Sequence, residues 1–337
     1  MADWKSALNA DPTNWLLEQD NPSARYFTLV DLMDTPEDDP EVQQARQAIM
    51  ESGVVPRILA KQEEGGNWEP PHRFYTGKYR STVWQLIILA ELAADGNDER
   101  IRKSCDFILE ISQDRTSGGF STRGSVQDGG DPSRVIPCLT GNMVWSLMRL
   151  GCRDARVEHG IEWIARYQRF DDAEGKPPKG WPYDNHERCW GRHTCSMGVI
   201  KALKALAEIP PNTRSTEVVA TIENGAEYFL RHHVHKRSHN LNRVCKPEWR
   251  RFSFPRMWHT DALEILRVLT RLGYHDPRMQ EAIDLVISKQ DDQGRWTLDD
   301  TFNGSFQVNI EIKGQSSKWV TLNALRVLKR VHELAGR

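Results

Sequence analysis

One recurring junction constrains this chain more than any other feature. The segments Arg149 to Val157 and Arg271 to Met279 read almost in parallel, each carrying Arg-Leu-Gly, then Asp, then Arg. In both, Gly151 or Gly273 closes a helix and Asp154 or Asp276 stands at the N-cap of the next, with Pro277 at the first helical position of the second copy. Downstream come an amphipathic helix, a glutamine, and a loop in which glycine precedes an aromatic residue. The copies are Gln62 with Gly66 and Trp68, Gln113 with Gly119 and Phe120, Gln168 with Gly180 and Trp181, and Gln290 with Gly294 and Trp296. A degenerate copy lacking the glycine falls near Glu248 and Trp249. The glutamines are spaced by 51, 55 and 122 residues, the last being two periods if one copy has decayed. A period of this size makes each repeat a pair of helices.

The two helices of a pair differ in texture. Ile101, Cys105, Ile108 and Leu109 form a one-sided apolar stripe, whereas Val83 to Ala90 is apolar nearly all round. The first pattern predicts outer helices near Glu41 to Lys61, Glu99 to Ile111, Ala155 to Tyr167, Thr216 to Arg231 and Arg278 to Lys289. The second predicts inner helices near Arg25 to Met33, Ser81 to Ala93, Leu139 to Leu150, His193 to Ala207, Trp258 to Leu272 and Lys318 to Leu334. Alternation without a strand pattern predicts an all-α fold, an α/α toroid of one ring. An open solenoid would expose the all-round apolar helices on its concave face. The repeat argues for a single domain over residues 1–337, with 1–40 a helical segment completing the ring.

Composition narrows the function classes. With 39% hydrophobic and 27% charged residues the chain is of ordinary globular type, and 45 basic against 47 acidic residues give a net charge of −2. That excludes a disordered chain and a generally basic nucleic-acid binder. No run reaches the roughly 18 apolar residues of a membrane span, and Met1 to Gln19 lacks a secretory signal pattern. The expectation is a soluble, cytoplasmic protein. Six scattered cysteines read as free thiols, not as a disulfide framework.

The repeated Gln, Gly and Trp after an outer helix resemble the repeat of the terpenoid cyclase and protein prenyltransferase superfamily, over roughly Pro56 to Lys329. The repeat residues themselves read as ties between outer helices and are not site residues. The resemblance implies an isomerase, lyase or transferase acting on an isoprenoid or similar apolar substrate in a central cavity. The alternatives are a ligand-binding or interaction toroid without catalysis, and a carbohydrate-active (α/α) barrel using Asp261 with Glu248 or Asp184. Triterpene cyclases carry two such barrels and this chain holds one. The acidic Asp-x-Asp-Asp string of class II cyclases is absent, as are the zinc motifs of lanthionine synthetase cyclases.

In a ring of this kind the starts of the inner helices meet at the cavity mouth, so polar residues there are the site candidates. They include Tyr79, Arg80, Trp190, Arg192, Trp258, Lys318 and Trp319 as substrate-binding groups. Asp261, His259 and His193 are the catalytic candidates, Asp261 as a general acid within an aromatic wall of Trp84, Trp145, Trp190, Trp258 and Trp319. Cys189, His193, Cys195 and His259 combine the ligand types of a tetrahedral zinc site. Prenyltransferase β subunits resemble this in placing Asp-x-Cys and a later aromatic-His-Thr run at inner-helix starts; here His193-Thr194-Cys195 and Trp258-His259-Thr260 stand there.

Between Arg231 and Arg256 eight basic residues face one acid, Glu248. Lys246, Arg250 and Arg251 make this a candidate anion site for a diphosphate-bearing ligand, since arginine and lysine clamp phosphate oxygens. One basic patch on a near-neutral chain supplies too few contacts for nucleic acid. A partner subunit could complete the site. Asp299-Asp300 and Glu37 to Asp39 read as solvated acids, the latter as a helix start before Pro40.

Overall fold

The computed structural model describes residues 4–336. Its helices, in chain order, are α1 (Thr13–Leu16), α2 (Pro22–Phe27), α3 (Pro40–Glu51), α4 (Val54–Leu59), α5 (Thr82–Glu91), α6 (Glu99–Ser112), α7 (Pro137–Arg149), α8 (Ala155–Tyr167), α9 (Glu187–Trp190), α10 (Ser196–Leu206), α11 (Thr216–Arg231), α12 (Ala262–Arg271), α13 (Gln280–Ile287) and α14 (Lys318–Ala335). Extended structure among the described residues is limited to two short antiparallel ribbons and a few isolated bridges. The ribbons are β1 (Gly124–Ser125) with β2 (Gly129–Gly130), and β3 (Lys236–Arg237) with β4 (Asn240–Val244). The molecule is thus mostly helical, and no helix among the described residues is long and apolar enough to cross a membrane.

The chain divides into two compact units that interleave in sequence. One comprises residues 1–57, 229–256 and 260–337; the other comprises 58–228 and 257–259. In the second unit α5 is buried at every residue and α7 from Pro137 to Leu147, while α6 and α8 bury one face. The helices α7 and α10 approach closely at Gly141, where a Cβ would stand 2.4 Å from the Lys201 carbonyl carbon. In the first unit α12 packs on α14, which is buried from Lys318 to Lys329.

The repeat glutamines tie helices as the spacing suggests. Gln62 Nε2 donates to the Arg100 carbonyl at 2.8 Å, and Gln113 Nε2 to the Arg156 carbonyl at 2.7 Å, each reaching the first turn of the next half-buried helix. Gln290 Nε2 reaches the Ala7 carbonyl at 3.0 Å. The aromatic residue of each tight copy is held by a threonine that the sequence pattern did not single out. The backbone N–H groups of Trp68, Phe120 and Trp296 donate to Thr82, Thr140 and Thr321 at 3.1, 2.9 and 2.9 Å. Glycine is needed where backbones touch: a Cβ on Gly118 would lie 2.4 Å from the His159 carbonyl oxygen, and one on Gly294 1.9 Å from that of Ala10.

The third copy departs from this pattern. Gln168 bonds only the neighbouring Arg169 carbonyl, Gly180 has open space around it, and Trp181 is 37% exposed. Several helix bounds also differ from expectation. Residues 41–61 form two helices because Gly53 takes a positive φ of 77° between them. The stretch from Arg25 to Met33 ends as a π-helical turn over Thr28–Leu32. The helices expected from His193 and Trp258 begin at Ser196 and Ala262, with Cys195 and Asp261 as their N-caps.

Candidate functional site

Those later starts decide where the predicted site residues lie. Asp261 is the N-cap of α12: its Oδ1 accepts from the Glu264 backbone N–H at 2.8 Å, and Oδ2 lies 3.4 Å from both the Ser253 N–H and Arg256 Nε. The side chain is 2% exposed. Burial pushes the carboxyl above the usual carboxylate range, against the opposing pull of the Arg256 guanidinium and the Glu264 N–H. Arg256 is fixed in turn by the Thr260 carbonyl at 2.5 Å and by Ser253 Oγ.

Immediately after Ser253, Phe254 lies flat on Trp319, with ring centroids 4.3 Å apart and planes at 3°. Phe27 meets the same indole edge-on at 6.1 Å. The backbone N–H of Trp319 donates at 3.3 Å to Oε1 of Glu311, whose Oε2 accepts from Ser317 Oγ, the N-cap residue of α14. Burial pushes Glu311 up to about 7, although the hydroxyl, two backbone N–H groups and the Lys318 ammonium all favour its charged form. Sequence reading passed over Glu311. The available signal was that it is the one acid between Asp300 and Glu333, six residues ahead of a helix-start serine.

A second cluster belongs to the other unit. Trp258 Nε1 donates to the Tyr79 hydroxyl at 3.3 Å, and the His259 ring lies 3.7 Å from Trp258. Gln85 Nε2 bonds the Tyr79 carbonyl, and Asn142 Nδ2 bonds the Met257 carbonyl. Cys189 and Cys195 are neighbours, joined by Cys138, which the sequence pattern had not marked. Burial first, then the neighbouring Cys195, pushes the Cys189 thiol up to about 12, and Cys138 rises for the same reasons. Trp190 is 2% exposed and packs on Trp163 and Tyr183, with centroids 6.0 and 5.3 Å away.

The remaining candidates do not converge on either cluster. His193 and Arg192 are exposed in the loop before α10. Arg80 is paired with Glu69 at 3.1 Å. Among the described residues no group of three or more His, Cys, Asp or Glu side chains could hold a metal ion. Of the four residues expected to hold zinc, Cys189 and Cys195 are half-buried, His193 is exposed in the loop before α10, and the His259 ring lies against Trp258. Lys318 is occupied by Glu18 at 2.9 Å and by Asp20. In the basic segment Lys236 pairs with Glu281 at 2.5 Å and Arg251 bonds the Asp299 carbonyl at 3.0 Å, whereas Lys246 and Arg250 are exposed. Asp39 caps α3, and Asp299 accepts from the Phe252 N–H and from Lys289, so each acidic run has a local structural partner.

No family model matches the sequence, and no curated protein does. Among solved structures the chain is similar to a type II terpene cyclase, MstE, from Scytonema in complex with its substrate geranylgeranyl dihydroxybenzoate. The identity is 13%, the match covers 94% of this chain and 88% of that chain, and the TM-score is 0.43. A likeness at that level assigns neither a family nor an activity.

Proposed function

We propose that this protein is a terpenoid cyclase-like enzyme that protonates an isoprenoid or similarly apolar substrate, with Glu311 as the proton donor. The supporting observation is a carboxyl group held near a pKa of 7 within hydrogen-bond reach of the Trp319 backbone, whose indole is stacked on Phe254. A carboxylic acid that is partly protonated near neutral pH is suited to proton donation. In the first step Glu311 gives its proton to one carbon of a substrate double bond, leaving a carbocation at the other. The carboxylate formed is held by Ser317 Oγ and the N–H groups of Trp319 and Lys318. The faces of Trp319 and Phe254 offer cation–π stabilisation to the positive carbon. Loss of a proton from the product cation, or capture of water, ends the reaction.

Asp261 is the second acid in this scheme. Its role as helix cap and its ion pair with Arg256 make it the group that fixes the Ser253–Phe254 backbone behind the aromatic stack. Exposed Lys246 and Arg250 would meet a diphosphate if the substrate carries one. The single closed ring of inner and outer helices is part of the same proposal. The test is incubation with a panel of polyprenols and polyprenyl diphosphates in D2O, followed by mass spectrometry. One deuterium per product molecule, lost in Glu311→Gln, supports the reading. Product that forms without deuterium, or that is unaffected in Glu311→Gln, removes it.

A further inference from the structure

A cleft of about 740 Å³ opens within the second unit, between α8 and the loop and first turn that lead into α11. Its apolar lining comes from Met148 on α7, Ile161 and Ala165 on α8, Pro210 in the loop and Val218 on α11. The loop wall is set in advance. Pro210 and Pro211 restrict its backbone, the Thr213 N–H and hydroxyl both donate to the Pro210 carbonyl at 3.0 Å, and Arg214 Nε donates to the Ile209 carbonyl at 3.0 Å. A wall fixed in this way loses little freedom when a ligand arrives. The volume is that of a small-molecule site.

The charged groups of the cleft select the ligand. Glu158 and Glu162, one turn apart on α8, and Glu217 in the first turn of α11 bring three carboxylates to the lining, against the guanidinium groups of Arg166 and Arg214. Both cations are already engaged: Arg214 through its Nε, and Arg166 over the Tyr167 ring, 5.2 Å from the centroid. Glu158 and Glu162 are exposed, and among the described residues neither forms an ion pair or a side-chain hydrogen bond. We propose that this cleft binds a small organic amine, its apolar body seated on Ile161, Ala165 and Val218 and its ammonium group held by Glu158, Glu162 and Glu217. Burial of the body supplies affinity for any head group, and the carboxylates favour a cation and oppose an anion. The site goes beyond the proton chemistry proposed for Glu311, which belongs to the first unit.

The test uses three probes that share one body and differ in the head: 4-phenylbutylamine, 4-phenylbutanol and 4-phenylbutyrate. Titration calorimetry on the full-length protein is expected to rank the amine above the alcohol and the alcohol above the acid, with the amine's advantage shrinking as salt is added. The double variant Glu158→Gln with Glu162→Gln alters exposed side chains and is expected to weaken the amine at least about fivefold while leaving the alcohol unchanged. A photoreactive diazirine derivative of the amine then locates the site. Trypsin separates residues 157–166, 205–214 and 215–231, which carry most of the lining, and the label is expected on these peptides and is lost when unlabelled amine competes. No binding of the amine at millimolar concentration, equal affinity for the three heads, unchanged amine affinity in the double variant, or label confined to other peptides each overturns the proposal. Glu311→Gln is expected to leave amine binding unchanged, so this outcome is read separately from the proton-donor assignment.

Discussion

The carboxyl cluster of one unit and the thiol and tyrosine cluster of the other are both polar, rich in aromatic rings and buried or half-buried, yet burial acts on them in opposite chemical directions. Desolvation raises Glu311 to about 7, where a proton can be given and taken back, and pushes Asp261 above its usual range. For Cys138, Cys189 and Tyr75 the same desolvation raises pKa values that start near or above neutrality, so these groups are held in their neutral forms. One environment makes an acid available and the other silences nucleophiles. Under the proposed reading proton chemistry falls to Glu311, and the buried thiols keep a packing role.

The comparison breaks most directly through activity. Glu311→Gln keeps the shape and the acceptor oxygen but cannot supply a proton, so turnover in the deuterium assay is expected to fall by about 100-fold or more, within the usual range for loss of a general acid. Cys189→Ala and Cys195→Ala are expected to leave it within about threefold. If the cysteine variants abolish turnover and Glu311→Gln does not, the assignment of the two clusters is reversed. Asp261→Asn is expected to reduce stability by about 1–2 kcal/mol through a weakened cap and a stranded Arg256, as read by urea midpoints.

A smaller effect compares repeat copies. Gln113→Ala strands the Gly118 and Arg156 carbonyls in the interior and is expected to cost about 2 kcal/mol, whereas Gln168→Ala, whose amide serves only Arg169, should cost less than about 1 kcal/mol. Equal costs would mean that the looser geometry of the third copy has no energetic meaning. Calorimetry adds a further check: one cooperative transition is expected for a single domain, and two resolved transitions would make the two units separate domains.

The contrast between copies also shows why the sequence was legible in some places and not in others. The glycine of two tight copies is dictated by backbone contact, so its identity is nearly forced: at Gly66 or Gly294 any side chain collides with a carbonyl. Outer helices such as α8 and α11 fall where their one-sided stripes lie, because periodicity reports burial directly. Helix starts were less readable. His193 and Trp258 carry no signal that separates a helical first turn from a preceding loop, and the helices start three and four residues later, at Ser196 and Ala262. Glu311 was hidden for a different reason. It sits in an irregular loop with no period, and its neighbours Ser317 and Trp319 reach it by chain folding that local pattern does not encode.

The account stands or falls on the protonation of Glu311. Because its pKa is raised in the folded state from 4.5 to about 7, folding favours the protonated form. That contribution to stability is full below about pH 4.5 and is lost as the pH climbs to about 7. The most direct measurement is the carboxyl stretching band of Glu311, isolated as the infrared difference between wild type and Glu311→Gln across a pH titration. A band of the protonated acid that disappears with a midpoint near 7 is the predicted result, accompanied by a flatter stability profile between pH 4.5 and 7 in the variant. A midpoint near 4.5, with identical stability profiles, would show an ordinary carboxylate and contradict the proton-donor assignment.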